Sequence, residues 1–92
     1  MSIHIYDVSF LWERNENRTW IKHLLACYHS KVGRDYETIA FWRSQFNLAA
    51  ETTLTCDRDF VITDGHHRLI AAWLSGLESI SVRVCPQKTT YR

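Results

Sequence analysis

Several features that would assign this sequence to a large class of proteins are missing from it. No segment of its 92 residues approaches the roughly 20 consecutive apolar residues of a membrane-spanning helix. The opening residues, MSIHIYDVSF, lack the basic start and the long apolar run of a signal peptide. Internal repeats and low-complexity stretches are also missing. We therefore expect a cytoplasmic protein that does not associate with membranes.

Cysteine is too scarce and too scattered for a disulfide framework. Cys27, Cys56 and Cys85 are an odd number, and no two of them are close in sequence. Reduced thiols in a cytosolic protein fit this spacing better. We interpret each as a small core residue rather than as a nucleophile. We recognise no Cys or His pair with metal-ligand spacing, and predict no metal site made by protein side chains alone.

An excess of charge of one sign is also missing. The chain has 11 basic and 10 acidic residues, and the basic residues form no run. We therefore do not expect a nucleic-acid partner. Three of the four tryptophans, Trp20, Trp42 and Trp73, fall on apolar helical stripes and are interpreted as core residues. Trp12, near a polar loop, is the tryptophan least committed to the core.

What is present is the composition of a globular chain, with 46% hydrophobic and 13% aromatic residues. The length allows one small domain over residues 1–92. SIHIYDVSFLW alternates and predicts a strand with a bend near Asp7, with Val8, Phe10 and Trp12 as a second period-two run. The polar ERNENR predicts a loop.

Two helices are predicted next. The first runs from Thr19 to about Lys31, with Asn17 or Thr19 as its N-cap and Gly33 as its left-handed end. Its apolar stripe is Trp20, Ile21, Leu24, Leu25 and Tyr28. The second has Asp35 as its N-cap. Its apolar face is Ile39, Trp42, Phe46 and Ala49 or Ala50.

The remaining pattern predicts a hairpin followed by a strand–helix–strand unit. TTLTC and FVIT are strands joined by the turn DRD. A helix then begins at about His66 and stops near Gly76. Its buried stripe is predicted to be Leu69, Ile70, Trp73, Leu74 and Leu77. SISVRV closes the fold, with Ile80, Val82 and Val84 on one face. We expect a right-handed βαβ crossover in an α+β domain with a small mixed sheet and two or three helices.

The segment DGHHR at the start of that helix is the main candidate site. Amides at a helix N-terminus lack partners within the helix and carry partial positive charge. Gly65 lets an anion approach the backbone, and Arg68 can bind a phosphate through two parallel hydrogen bonds. His66 and His67 add donors. Asp64 repels a bare phosphate, and suits a metal ligand, a base or an N-cap.

Ordinary structural roles explain the same residues. Asp64 and Gly65 are common in turns, His66 can cap a helix, His67 can be half-buried, and Arg68 can pair with a surface acid. A metal site from Asp64 and the two histidines would need distortion, because adjacent helical side chains diverge by about 100°.

The stretch DRDFVITDGHHRLIAAWLSGLESISVRV, from Asp57 to Val84, resembles the core motif of the ParB/sulfiredoxin-like superfamily. The resemblance implies that fold, with nucleotide phosphates contacted by Gly65, His66, His67 and Arg68. It also implies that Asp64 is the acidic position of the kinase-like members.

This chain departs from the family pattern at several positions. Sulfiredoxins have a nucleophilic Cys directly after the motif glycine, where this chain has His66. Partition proteins add a second, arginine-rich phosphate motif and a DNA-binding helix-turn-helix, which we do not find up to Arg92. A full active site would also need an acid or base from the first loop. Glu13 and Glu16 are the candidates, and Glu16 is assigned with Asp64 as catalytic.

The leading hypothesis is a domain that binds a nucleotide or another phosphate ligand. Any chemistry would be phosphoryl transfer or hydrolysis, with Mg²⁺ as the expected cofactor if a nucleotide binds. The alternative is a catalytically silent, protein-binding module on the same fold, such as an immunity, antitoxin or regulatory protein. A nucleic-acid-processing role ranks third.

Overall fold

Four short strands build one mixed sheet in a computed structural model that describes residues 3–46 and 53–85. The strands are β1 (Ile3–Asp7), β2 (Thr53–Cys56), β3 (Ile62–Asp64) and β4 (Ser79–Val84). Their order in the sheet is β1-β4-β2-β3. Strand β4 is antiparallel to β1 and parallel to β2, and β3 is antiparallel to β2. The predicted α+β class with a small mixed sheet is confirmed.

Four helices accompany the sheet in the described residues. They are α1 (Val8–Trp12), α2 (Asn15–Ser30), α3 (Arg34–Phe46) and α4 (His66–Leu74). Lys31 ends α2 in the left-handed conformation, two residues before the predicted Gly33, which is also left-handed. None of the helices in the described ranges is long and apolar enough to cross a bilayer.

The N-terminal third differs most from the prediction. Val8 to Trp12 form a helix rather than a second strand, because Val8 and Leu11, three residues apart, both face the core. Helix α2, the first of the two predicted helices, begins at Asn15 rather than Thr19. Most of the predicted ERNENR loop is therefore helical. Asn17 is fully buried inside α2, where polar composition alone indicates a loop.

The second predicted helix is confirmed, with a shifted start. Helix α3 begins at Arg34, so Asp35 lies in the first turn rather than at the N-cap. Ile39 is fully buried and Trp42 is half-buried, as the apolar face predicts. The predicted contributions of the Phe46 side chain, Ala49 and Ala50 lie outside the residues described.

The predicted hairpin is confirmed, and its turn has a clear cause. The carboxylate of Asp57 accepts hydrogen bonds from the amides of Asp59, at 2.8 Å, and Val61, at 3.1 Å. Phe60 takes a left-handed φ of 65° within the turn. The hydrogen bonds from these two amides to the Asp57 carboxylate are of the kind that makes Asp favourable in turns.

The predicted βαβ crossover is wrong in its pairing. The strand–helix–strand order β3, α4, β4 is present, but β2 lies between β3 and β4. Because β2 is antiparallel to β3 and parallel to β4, the strands that flank α4 run in opposite directions. Within the hairpin, β3 pairs with one edge of β2, and β4 pairs with the other edge.

The core lies between one face of the sheet and the helices. Leu54 and Val82 are adjacent across the parallel pair and both are fully buried. Leu69 and Ile70 of α4 are also fully buried, as predicted.

The prediction that Trp73 is buried is wrong. Trp73 is 42% exposed, and its ring stacks on Trp12 with a centroid distance of 4.2 Å. Two consecutive alanines of α4, Ala71 and Ala72, are fully buried.

Candidate functional site

The five residues of the DGHHR segment line one open cavity at the N-terminus of α4. The cavity has a volume of about 260 Å³. Its lining residues are Trp42, Asp64, Gly65, His66, His67 and Arg68. The structure therefore brings together all of the predicted phosphate-contacting residues, with Asp64 beside them.

Gly65 is the N-cap of α4 and is held in a conformation that favours glycine. Its φ is 98°, and no side chain caps the helix. A Cβ built on Gly65 would lie 2.5 Å from Cδ2 of the buried Leu54 and 3.2 Å from Nη2 of Arg68. Gly65 is thus required both for its backbone conformation and for the close packing of the helix start against β2.

Arg68 is held firmly at the wall of the cavity. Its Nη1 donates to the backbone carbonyl of Thr53 at 3.1 Å, and its Nη2 donates to Oδ2 of Asp64 at 3.0 Å. The guanidinium carbon lies 5.4 Å from the centroid of the Trp42 ring, within cation–π range. The Arg68 side chain is only 19% exposed, whereas that of Asp64 is 73% exposed.

The side chain of His67 forms a hydrogen bond with a residue of another helix. Its Nε2–H donates to Oδ1 of Asp35 on α3 at 2.9 Å. This hydrogen bond is the main cause that lowers the pKa of Asp35, against burial, which raises it. Attraction to His67, a hydrogen bond from Cys27 and attraction to His23 lower that pKa further. Asp35 therefore stays ionised at neutral pH and ties α3 to the start of α4.

His66 points toward α2 and is partly desolvated. Its ring meets the ring of Trp20 edge-on with a centroid distance of 4.6 Å. Burial lowers the pKa of His66, and repulsion from His67 lowers it further. A hydrogen bond with the backbone of Ile62 and attraction to Asp64 act in the opposite direction. His66 is therefore predominantly neutral at pH 7 and acts as a hydrogen-bonding group rather than as a charge.

The acids assigned to the first loop lie elsewhere. Glu16 is in the first turn of α2, and with Glu13 it lines a separate groove that also contains Phe10, Arg14 and Asn15. Neither glutamate is among the residues that line the cavity with Asp64. The catalytic role assigned to Glu16 is thus left without a geometric link to Asp64 in the described residues.

Sequence reasoning missed a group of three polar side chains on α2 and α3, next to His67 of the motif. The sequence alone predicts Asp35 as an N-cap and Cys27 as a core residue, and no predicted motif includes His23. His23, Cys27 and Asp35 form a cluster in which the ligand atoms all lie within 4.8 Å of one another. The spacing of His23 and Cys27, four residues apart on a predicted helix, was the available signal.

The three cysteines have different environments. All are present as thiols rather than as half-cystines. Cys56 is fully buried in β2, and burial raises its pKa to about 11, so it is protonated and inert, as a core residue should be. Cys27 and Cys85 are only half-buried, which does not fit the predicted core position of either.

Comparison with known proteins finds no relative: no protein-family model, no curated protein and no solved structure matches the chain. The ParB/sulfiredoxin-like assignment therefore stays a prediction that rests on the motif residues.

Proposed function

We propose that the cavity at the N-terminus of α4 binds the phosphate group of a nucleotide or of another phosphate ligand. The single observation that carries this proposal is that the whole DGHHR segment lines one open cavity at a helix start without a side-chain cap. Backbone amides in the first turn and the helix dipole favour an anion at this position. The resemblance of Asp57 to Val84 to the ParB/sulfiredoxin-like core supports the same ligand.

Trp42 gives the cavity one aromatic wall. An aromatic side chain beside a phosphate site can pack against a base or sugar, and such stacking contributes about 1–3 kcal/mol per base. We therefore expect nucleotides to bind more tightly than inorganic phosphate.

Asp64 decides whether the site works with a metal ion. Its carboxylate already accepts a hydrogen bond from Nη2 of Arg68, so a bare phosphate must compete with it. Asp64 would be the ligand that holds a Mg²⁺ ion here, and the ion would supply the positive charge that a phosphate beside this carboxylate needs. Any phosphoryl transfer or hydrolysis at this site would use Asp64 as that ligand or as the base.

Calorimetry with ATP, CTP and GTP, each with and without Mg²⁺, tests the proposal. Arg68→Lys keeps the charge but loses the planar fork, and should weaken binding about tenfold to a hundredfold. Arg58→Lys, at an exposed arginine in the hairpin turn, is the matched control and should change nothing. Asp64→Asn should abolish the dependence on Mg²⁺. No binding of any nucleotide to the folded protein, or equal loss in both lysine variants, would overturn the proposal.

A second candidate function is that of a catalytically silent protein-binding module. The observation that favours it is that Arg68 and His67 already have internal partners, Thr53 and Asp64 for the first and Asp35 for the second. Motif side chains recruited to internal structure are what this alternative predicts. In that case no nucleotide binds to the wild-type protein, and the effect of Arg68→Lys should be a lower melting temperature. Exposed aromatic side chains such as Trp73 and Phe10 would then carry partner binding.

A further inference from the structure

We propose that His23, Cys27 and Asp35 form a binding site for a divalent transition-metal ion of the zinc class. His23 and Cys27 lie on α2, and Asp35 lies in the first turn of α3. One ligand atom from each residue lies within 4.8 Å of the others. The site thus lies between two consecutive helices, α2 and α3. None of its three ligands lines the phosphate cavity.

The two α2 ligands are already spaced for a tetrahedral ion. Residues four apart share one face of a helix, and Nε2 of His23 lies 3.8 Å from Sγ of Cys27. Tetrahedral zinc, with Zn–S of about 2.3 Å and Zn–N of about 2.0–2.1 Å, requires an N···S distance of about 3.6 Å. Only a small side-chain adjustment therefore separates this pair from ligand geometry.

The donor set selects the class of ion. A thiolate, an imidazole and a carboxylate suit borderline-soft zinc, whereas Mg²⁺ and Ca²⁺ prefer oxygen ligands. Ionised Cys27 and Asp35 together carry two negative charges, which balance a divalent cation. Binding displaces the thiol proton of Cys27 to the buffer. Three protein ligands leave the fourth tetrahedral position for water, and His23 is exposed, so an ion can enter from solvent.

His67 supports this site from behind. Its Nε2–H donates to Oδ1 of Asp35 at 2.9 Å, which orients the carboxylate toward α2. Metal-binding carboxylates and imidazoles are commonly fixed by such neighbours, and removal of one typically weakens metal binding about tenfold to a hundredfold. His67 also lines the phosphate cavity, so in the described part of the chain it connects the two proposed sites.

Titration of the full chain with Co²⁺ under reducing conditions tests the proposal directly. A tetrahedral Co²⁺ site with one thiolate should give a thiolate-to-cobalt charge-transfer band and intense visible d–d bands. Competition of Zn²⁺ against this signal gives the zinc affinity. Mg²⁺ and Ca²⁺ should not displace the cobalt. No phosphate ligand is needed, so the outcome is independent of the proposed function.

Substitutions identify the ligands. Cys27→Ser should abolish the charge-transfer band, and His23→Gln should weaken Zn²⁺ binding at least about a hundredfold. His29→Gln, an exposed histidine on the same helix, is the matched control and should leave the affinity unchanged. His67→Gln should keep the charge-transfer band but weaken binding about tenfold to a hundredfold.

Two results would overturn the site. One is a folded wild-type protein whose Co²⁺ spectrum has no thiolate band. The other is a band that survives in Cys27→Ser, since the thiolate would then come from Cys56 or Cys85. Circular dichroism of each variant confirms that it is folded before its affinity is interpreted. An affinity that His67→Gln leaves unchanged would overturn the supporting role of His67.

Discussion

Asn17 connects three segments of the chain through one buried side chain. Its Nδ2 donates to the carbonyls of Leu11 and Phe60, both at 2.9 Å. Its Oδ1 accepts from Nε1 of Trp20 at 3.2 Å and from the amide of Ile62 at 3.0 Å. All four hydrogen-bonding positions of the amide are therefore satisfied inside the protein. The end of α1, the hairpin turn and the start of β3 are held by this residue.

Asn17→Ala should accordingly lower the free energy of unfolding by about 3 kcal/mol or more, because it leaves several buried backbone groups without partners at about 1–3 kcal/mol each. Urea denaturation measures the loss. Asn15→Ala, at an exposed position on the same helix, should stay within about 0.5 kcal/mol of wild type. Similar losses in both variants would contradict this network.

Gly65 and Gly33 share a positive φ but not an environment, which makes them a matched pair. Their φ values are 98° and 97°, but a Cβ meets nothing within 4 Å at Gly33 and meets Leu54 at 2.5 Å at Gly65. Gly33→Ala should cost about 1–2 kcal/mol of unfolding free energy from left-handed strain alone. Gly65→Ala should cost about 2–5 kcal/mol, because overpacking adds to the strain. Equal losses in denaturation would show that Leu54 gives way.

At the scale of elements, a tryptophan pair joins the first helix to the motif helix. The rings of Trp12 on α1 and Trp73 on α4 are 4.2 Å apart and nearly parallel, at 10°. The pair covers one flank of α4, while Ile70 on the same helix is fully buried. Trp73 therefore has a packing role at the surface rather than in the centre of the core.

Substitutions on α4 should report this register. Ile70→Ala should lower the free energy of unfolding by about 2–5 kcal/mol. Trp73→Ala should cost less, about 1–2 kcal/mol, since its ring is half in solvent and the stack contributes about 0.5–1.5 kcal/mol. A double-mutant cycle with Trp12→Ala isolates that stacking contribution. A larger loss for Trp73→Ala than for Ile70→Ala would contradict the orientation of α4.

At the scale of the whole molecule, the start of α4 contacts α2, α3 and β2, so the stability of the domain depends on groups there. His66 lies between α2 and α4, and burial lowers its pKa below the ordinary value of about 6.5. As pH falls below about 6.5, the unfolded chain takes up a proton at this position before the folded one does. Folding stability should therefore fall from that pH down to the lowered pKa in the folded state.

The pH dependence is checked by urea denaturation at several pH values. His66→Gln should flatten the profile below about pH 6.5. Imidazole resonances in a nuclear magnetic resonance titration give the folded-state pKa of His66 directly. A midpoint at or above the ordinary value would contradict the burial that the structure shows.

The extent to which the sequence predicted the site differs from residue to residue. The sequence places the glycine and the basic residues of DGHHR at a helix start correctly, because helix starts, turns and strands have local signals, and here those signals agree. Asp35, His23 and Cys27 were missed because their grouping depends on the angle between α2 and α3, which no local pattern specifies. At Asn17 the sequence indicates a loop or capping residue, because a polar side chain is buried only when distant segments satisfy its hydrogen bonds.

The sequence by itself determined the hairpin, the motif helix, the last strand and the position of Gly65, since periodicity, turn residues and the need for an open helix start are local properties. Only the tertiary structure decided the strand order, in which β2 rather than β3 is the neighbour of β4. It also turned Val8 to Trp12 into a helix and placed Trp73 at the surface. The physical reason is that a short apolar segment suits a strand or a helix equally well on its own, and burial against distant residues selects between them.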